Sequence, residues 1–162
     1  MSRDAAIARA LRHLETDAFK ADLARRLAIQ TESQNPERTA ELLRYLEQEM
    51  RPALESMGFT CAILHEPTRA RAPFLFAERI ENPEAVTVLG YGHGDVIRGL
   101  DQAWEAGLSP WTLTERDDCW YGRGVADNKG QHSINLAAMA AVLETRGQLG
   151  FNAKWLIEMG EE

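Results

Sequence analysis

Three short clusters carry residue types that suit metal and acid–base chemistry. Gly92-His93-Gly94-Asp95 sets an imidazole and a carboxylate two positions apart, so in an extended chain both point to the same side. A neutral imidazole binds a metal through one nitrogen, while a carboxylate commonly fixes the N–H of the other. The segment Trp120 to Gly130 places Gly122, Gly124 and Gly130 around Asp127, a constrained loop leading into a helix. Glu158-Met159-Gly160-Glu161-Glu162 ends in adjacent carboxylates, which can divide labour between holding a metal and acting as general base. Taken singly, each cluster has a plainer explanation: a histidine bonded inside a turn, an aspartate capping a helix, a solvated acidic turn.

The elements between the clusters put all three at one edge. Ile7, Leu11, Leu14 and Ala18, then Phe19, Leu23 and Leu27, recur at helical spacing, predicting two helices or one broken helix up to Ile29. Asn35 caps a second helical region that opens with Pro36, carries Leu42, Leu43, Leu46, Met50, Leu54 and Met57, and stops at Gly58. Pro52 should bend it, having no N–H to give. Phe59 to Leu64 and Phe74 to Ile80 read as strands separated by Pro67 and Pro73. Ala85 to Tyr91 reads as a strand buried on both faces, Gln131 to Arg146 as a deeply buried helix, and Ala153 to Met159 as a central strand. The expected fold is α/β, a three-layer αβα sandwich with a mixed, mostly parallel sheet. In such sheets ligands bind beyond the strand ends, where His93, Asp127 and the Glu161–Glu162 pair fall.

Composition narrows the function classes. Eighteen Lys and Arg against twenty-five Asp and Glu leave a formal charge of −7, which repels nucleic acid and anionic membranes, and no basic run makes a local exception. No apolar run is long enough to span a bilayer, and Met1 to Arg12 does not read as a signal peptide. Cys61 and Cys119 read as two reduced, largely packed thiols of a cytoplasmic protein. His13 and His65 read as surface residues without partners, His132 as structural, and the four tryptophans as packing residues. A phosphate-binding module ranks last, because neither glycine-rich phosphate loop motif is present.

Together the clusters resemble one family. The order His-x-Asp, Gly-Arg-Gly-x-x-Asp-x-Lys-Gly and Gly-Glu-Glu is similar to that of the co-catalytic zinc peptidases and deacylases. These include carboxypeptidase G, aminoacylase, acetylornithine deacetylase, succinyl-diaminopimelate desuccinylase and the carnosine-type dipeptidases. The stretch Leu23 to Ser33 resembles the family's opening helix and loop, so the likeness runs from about residue 20 onward. It implies that His93 binds one zinc with Asp95 orienting its ring, that Asp127 bridges two metals, and that Glu162 binds the second. It implies Glu161 as general base. Two zinc ions roughly 3.5–4 Å apart would polarise an amide carbonyl and activate a shared water, with cobalt or manganese as substitutes. It also implies a cis peptide bond between Asp127 and Asn128. The three metal ligands should converge on one cleft, with Asp95 behind His93.

The family pattern continues past Gly-Glu-Glu to a further acidic ligand, a distant histidine and an inserted lid and dimerisation domain. Residues 1–162 are therefore expected to be an incomplete catalytic domain, whether from a shortened coding sequence or as an expressed piece. Such a chain should be inactive alone and hold zinc poorly. The expected substrates are small peptides or N-acyl amino acids, with the Tyr91 to Asp95 and Ile157 to Gly160 contexts closer to the dipeptidase branch, and a homodimer is a candidate assembly. The alternative is a non-catalytic α/β fragment that folds and associates through an open sheet edge without binding metal tightly.

Overall fold

The computed structural model describes residues 3–65 and 72–162, so Pro67 and its expected strand break lie outside the described residues. Helices α1 (Arg3–Glu15) and α2 (Ala18–Leu27) open the chain as two helices. A 3-10 turn at Pro36–Arg38 follows, its N-terminus capped by the Asn35 side chain, which accepts from the Glu37 N–H at 3.2 Å. Helix α3 (Thr39–Tyr45), a π-helical turn (Leu46–Met50) and α4 (Arg51–Ser56) then run on without a break. The irregularity expected at Pro52 thus sits one turn earlier. A proline inside a helix leaves a carbonyl upstream without its donor, and a π turn is a common accommodation.

Strands β1 (Thr60–His65), β2 (Pro73–Arg79) and β3 (Thr87–His93) come next, then a long loop holding a small antiparallel hairpin, β4 (Thr114–Arg116) and β5 (Cys119–Tyr121). The sequence reading missed that hairpin. Helix α5 (Lys129–Arg146) and strand β6 (Asn152–Glu158) close the chain. The main sheet has the order β1-β2-β6-β3. β6 is central, as its apolar run implied. It pairs antiparallel with β2 and parallel with β3, and β1 pairs antiparallel with β2. The sheet is mixed as expected, but one pairing of three is parallel, so among the described residues it is not mostly parallel.

One face of this sheet carries the core. Leu75 and Ala77 of β2 and Ala153, Trp155 and Ile157 of β6 meet Leu42, Tyr45, Leu46, Met50, Leu54 and Leu136 from the helices. Fully burying one such aliphatic side chain is worth about 1.5–3 kcal/mol, so this layer holds the strands in register. The other face is bare: Leu64, Leu89 and Tyr91 are 44%, 65% and 50% exposed. The described residues form one helical layer on one sheet face, not three layers. Among the described residues β3 pairs with β6 alone, so it is an exposed edge strand and not one buried on both faces. Helix α5 is buried along one stripe, through Lys129, His132, Ser133 and Leu136, while Ile134 is exposed. It was expected to be buried more deeply.

Two smaller expectations change and one holds. His13 has partners, the Asp22 carboxylate at 3.4 Å and the edge of the Phe19 ring. Cys119 is exposed and Cys61 half-buried, both free thiols, so the cysteines are not well packed. His65 is exposed as read.

Candidate metal centre

The parallel pairing of β3 with β6 sets His93 opposite Glu158, so both strands end at the same edge. The chain then continues from one end as Gly94-Asp95 and from the other as Gly160-Glu161-Glu162. The Gly94 N–H donates to the Glu158 carbonyl at 2.9 Å, extending the pairing by one step. Asp95, wholly buried, ties the two extensions together. One of its oxygens lies 3.4 Å from His93 Nδ1 and accepts from the Glu161 N–H at 3.4 Å, and the other accepts from the Glu162 N–H at 3.1 Å. Asp95 does stand behind His93, and it also anchors the Glu-Glu turn.

With Nδ1 held by the Asp95 carboxylate and by the Asp95 carbonyl at 3.2 Å, the other ring nitrogen of His93 faces outward. Nε2 lies 3.2 Å from Asp127 Oδ1 and 3.8 Å from Glu161 Oε2. Ligand-capable atoms of His93, Glu161 and Glu162 all fall within 4.8 Å of one another. The expected convergence is present with one difference. Glu161, expected as base, shares that tight group, whereas Asp127 joins through His93 alone and is 70% exposed along its side chain. Its neighbour Asn128 follows a cis peptide bond, as the resemblance implies. The meeting place is an open edge and not a closed cleft. Glu158 is turned aside, its carboxylate accepting from the Tyr91 hydroxyl at 2.5 Å.

The charges respond to this crowding. Burial works against a charged His93, but Asp95 and Asp127 outweigh it and raise the ring to about 9. Burial likewise opposes the Asp95 carboxylate, yet the His93 ring and the two backbone N–H groups hold it below the usual range. Partial burial holds Glu162 above its ordinary value, with Glu161, Asp127 and Asp95 adding to the effect and His93 opposing it. One imidazole nitrogen and several carboxylate oxygens turned toward a shared point make a donor set suited to a dication. Imidazole and carboxylate are ordinary zinc donors, so the residues present fit that metal.

Other parts of the edge were not singled out from the sequence. The loop after α2 is stitched to the His93 segment: Thr31 Oγ1 donates to the Gly94 carbonyl at 2.6 Å, and the Val96 N–H to the Thr31 carbonyl at 2.9 Å. Glu32 accepts from the Gly99 N–H at 2.8 Å, and Gln34 donates to the Glu162 carbonyl at 2.9 Å. Thr31 and Glu32 are buried although they lie in a polar loop. The glycines beside His93 admit neighbours closely. A Cβ on Gly92 would lie 3.0 Å from Asn128 Oδ1 and from His132 Cβ, and one on Gly94 would lie 2.5 Å from the Tyr45 ring.

A helix-backed mixed sheet carries an imidazole–carboxylate cluster at its strand ends, and comparison with known proteins gives that arrangement relatives. Residues 89–162 match the family described as peptidase family M20/M25/M40. A Beta-Ala-His dipeptidase of Mus musculus is 40% identical over 91 residues, covering 56% of this chain and 18% of that protein. A cysteinylglycine-S-conjugate dipeptidase of Corynebacterium striatum is 36% identical over 111 residues, covering 67% of this chain and 23% of its own length. The crystal structure of human carnosine dipeptidase 1 superposes with a TM-score of 0.85 at 28% identity, over 96% of this chain and 34% of that one. Over residues 89–162 in sequence, and over nearly its whole length in fold, the chain is similar to peptidase family M20/M25/M40. It spans about a fifth of the length of these curated relatives.

Proposed function

We propose that residues 1–162 are part of the catalytic domain of a zinc-dependent hydrolase of small peptides or N-acyl amino acids, nearest in character to a dipeptidase. The observation that carries this reading is the outward nitrogen of His93, with Asp127 and Glu161 at 3.2 and 3.8 Å. His93 and Asp127 would hold one zinc, and Asp127 and Glu162 a second. Bound zinc supplies Lewis acidity toward an amide carbonyl and lowers the pKa of water. Asp95 keeps His93 Nδ1 occupied, so that Nε2 is the nitrogen offered to metal. Glu161, half-exposed beside that nitrogen, takes the proton of the attacking water and returns it to the leaving amine nitrogen. The free thiols suit a reducing, cytoplasmic setting.

Each metal would receive two ligands from residues 1–162, where catalytic zinc sites ordinarily use three and a water. The rest would come from sequence outside these residues or from another chain. The chain alone is therefore expected to bind zinc weakly and to turn over little substrate. Calorimetric zinc titration of residues 1–162, with hydrolysis of β-alanyl-histidine, other dipeptides and N-acyl amino acids, tests this. Glu161→Gln should leave zinc affinity within about threefold, whereas Glu162→Gln should weaken it by at least about tenfold. In a longer chain that is active, Glu161→Gln should abolish turnover. Equal zinc loss in both variants would make Glu161 a ligand and remove it as the base.

The bare sheet face and the unpaired edge of β3 favour a second reading, a non-catalytic fragment that self-associates. A concentration-dependent dimer that ignores zinc would support it over the hydrolase reading.

A further inference from the structure

Two side chains buried beneath the metal centre, Tyr45 and His132, belong to none of the motifs that suggested it. Both are at most 1% exposed. The Tyr45 hydroxyl lies 2.6 Å from His132 Nε2, and His132 Nδ1 lies 3.1 Å from Asn128 Oδ1. The same Asn128 oxygen accepts from the backbone N–H of His93 at 3.3 Å, and its amide nitrogen donates to Gln131 Oε1 at 2.8 Å.

The proton positions in this chain can be deduced. The His93 N–H is only ever a donor, so the atom facing it is the amide oxygen of Asn128. An oxygen needs a donor from His132 as well, so Nδ1 carries the proton. Nε2 is then the acceptor, and the Tyr45 hydroxyl donates to it. Burial among Arg26, Lys129 and His93 keeps the ring neutral, lowering it to about 3, which agrees with a single fixed tautomer. The surroundings are shaped for the arrangement. Gly92 has no room for a Cβ beside Asn128 and His132, nor Gly94 beside the Tyr45 ring. On the far side, Lys129 is fixed by donating to the carbonyls of Arg26 and Ile29 at 3.0 and 2.8 Å.

We propose that Tyr45 and His132 are positioning residues for the metal centre, a two-link clamp that holds the Asn128 amide, and with it Asp127, against the end of β3. Asp127 needs such help, since its exposed carboxylate has His93 as its one side-chain partner among the described residues. The inference rests on the metal reading above, and its test separates the two.

Nitrogen-15 spectra of the histidine rings, recorded on residues 1–162 with a chelator, should show His132 as the neutral Nδ1–H tautomer, assigned by its loss in His132→Gln. Tyr45→Phe leaves the Asn128 oxygen facing Nδ1, so it should keep the Nδ1–H tautomer, shift the Nε2 resonance as its donor is lost, and raise the zinc Kd by no more than about threefold. His132→Asn keeps a donor at the Nδ1 position and should stay within about threefold of wild type. His132→Gln keeps only the acceptor toward Tyr45 and should lose about tenfold or more. Thermal melts check that each variant is folded. An Nε2–H ring in the wild type, wild-type zinc affinity in His132→Gln, or an Asn variant as weak as the Gln variant each overturns the clamp. If the wild type takes up no zinc, the metal reading fails, and the ring spectra, which need no metal, still decide the clamp.

Discussion

Replacing Asp95 by Asn tests whether the His93 segment and the Glu-Glu turn are held as one unit. The change is isosteric at a wholly buried position, so cavity effects are small and hydrogen bonding decides the outcome. The aspartate oxygens face three nitrogens: His93 Nδ1 and the N–H of Glu161 on one side, the N–H of Glu162 on the other. An asparagine has one oxygen to offer. Whichever way the amide is turned, its NH2 group opposes at least one backbone N–H with no acceptor between them. Losing a hydrogen bond to a charged group costs about 1.5–3 kcal/mol, so Asp95→Asn should destabilise the chain by about 2 kcal/mol. For a domain of this size that is roughly 4–8 °C in Tm. Because the same carboxylate orients the His93 ring, zinc affinity should fall ~10–100-fold. Differential scanning calorimetry in chelator and calorimetric zinc titration measure the two effects separately, with the exposed Glu105→Gln as control. A folded Asp95→Asn chain with unchanged Tm and unchanged zinc Kd would refute the anchoring role.

Two further outcomes follow from other parts of the fold. Burial opposes the Glu81 carboxylate, but N–H groups of Leu149 and Gly150 at 2.8 and 2.9 Å and the Arg79 side chain at 3.1 Å hold it below its ordinary value. A lowered folded pKa contributes stability above the unfolded value and loses it as pH falls through the folded one. Glu81→Gln should therefore cost about 1–2 kcal/mol at pH 7 and progressively less as the solution is made acid enough to protonate the folded carboxylate, by urea unfolding; a loss that does not shrink with falling pH would contradict this. A Cβ on Gly130 would lie 1.9 Å from the Val125 carbonyl oxygen, a backbone atom that cannot swing aside. Gly130→Ala should cost about 2 kcal/mol or more and loosen the Asp127 loop, and an unchanged melt would show that the loop is not packed as described.

Much of the site was legible because its residues lie in short runs whose spacing survives any packing. His93 and Asp95 share a side in any extended chain, and Glu161 and Glu162 are neighbours whatever surrounds them. Asn35 caps its turn through a bond to Glu37, two residues away, so that boundary was legible too. The misplaced features depended on distant neighbours. The run Ala85 to Tyr91 is apolar enough for a doubly covered strand, yet one sheet face is bare among the described residues, and Leu89 and Tyr91 stand exposed. A local pattern reports that a residue can be buried, not whether another layer arrives to bury it. The strand directions failed likewise, since pairing joins β2 to β6 across about seventy residues of sequence.

The sequence by itself determined most of the elements, though not the β4–β5 hairpin, and the inventory of ligand-capable side chains, because helix periodicity, capping and two-residue alternation are properties of a few consecutive residues. Tertiary structure alone decided which of those side chains meet. The parallel register of β3 on β6 brings His93 beside Glu161 across sixty-eight positions, and the buried Asp95 carboxylate ties the two ends together. It also decided that Tyr45 and His132, unremarkable in their own segments, lie under the Asp127 loop. Those contacts join residues far apart in the chain, and their geometry exists only once the core has closed around them.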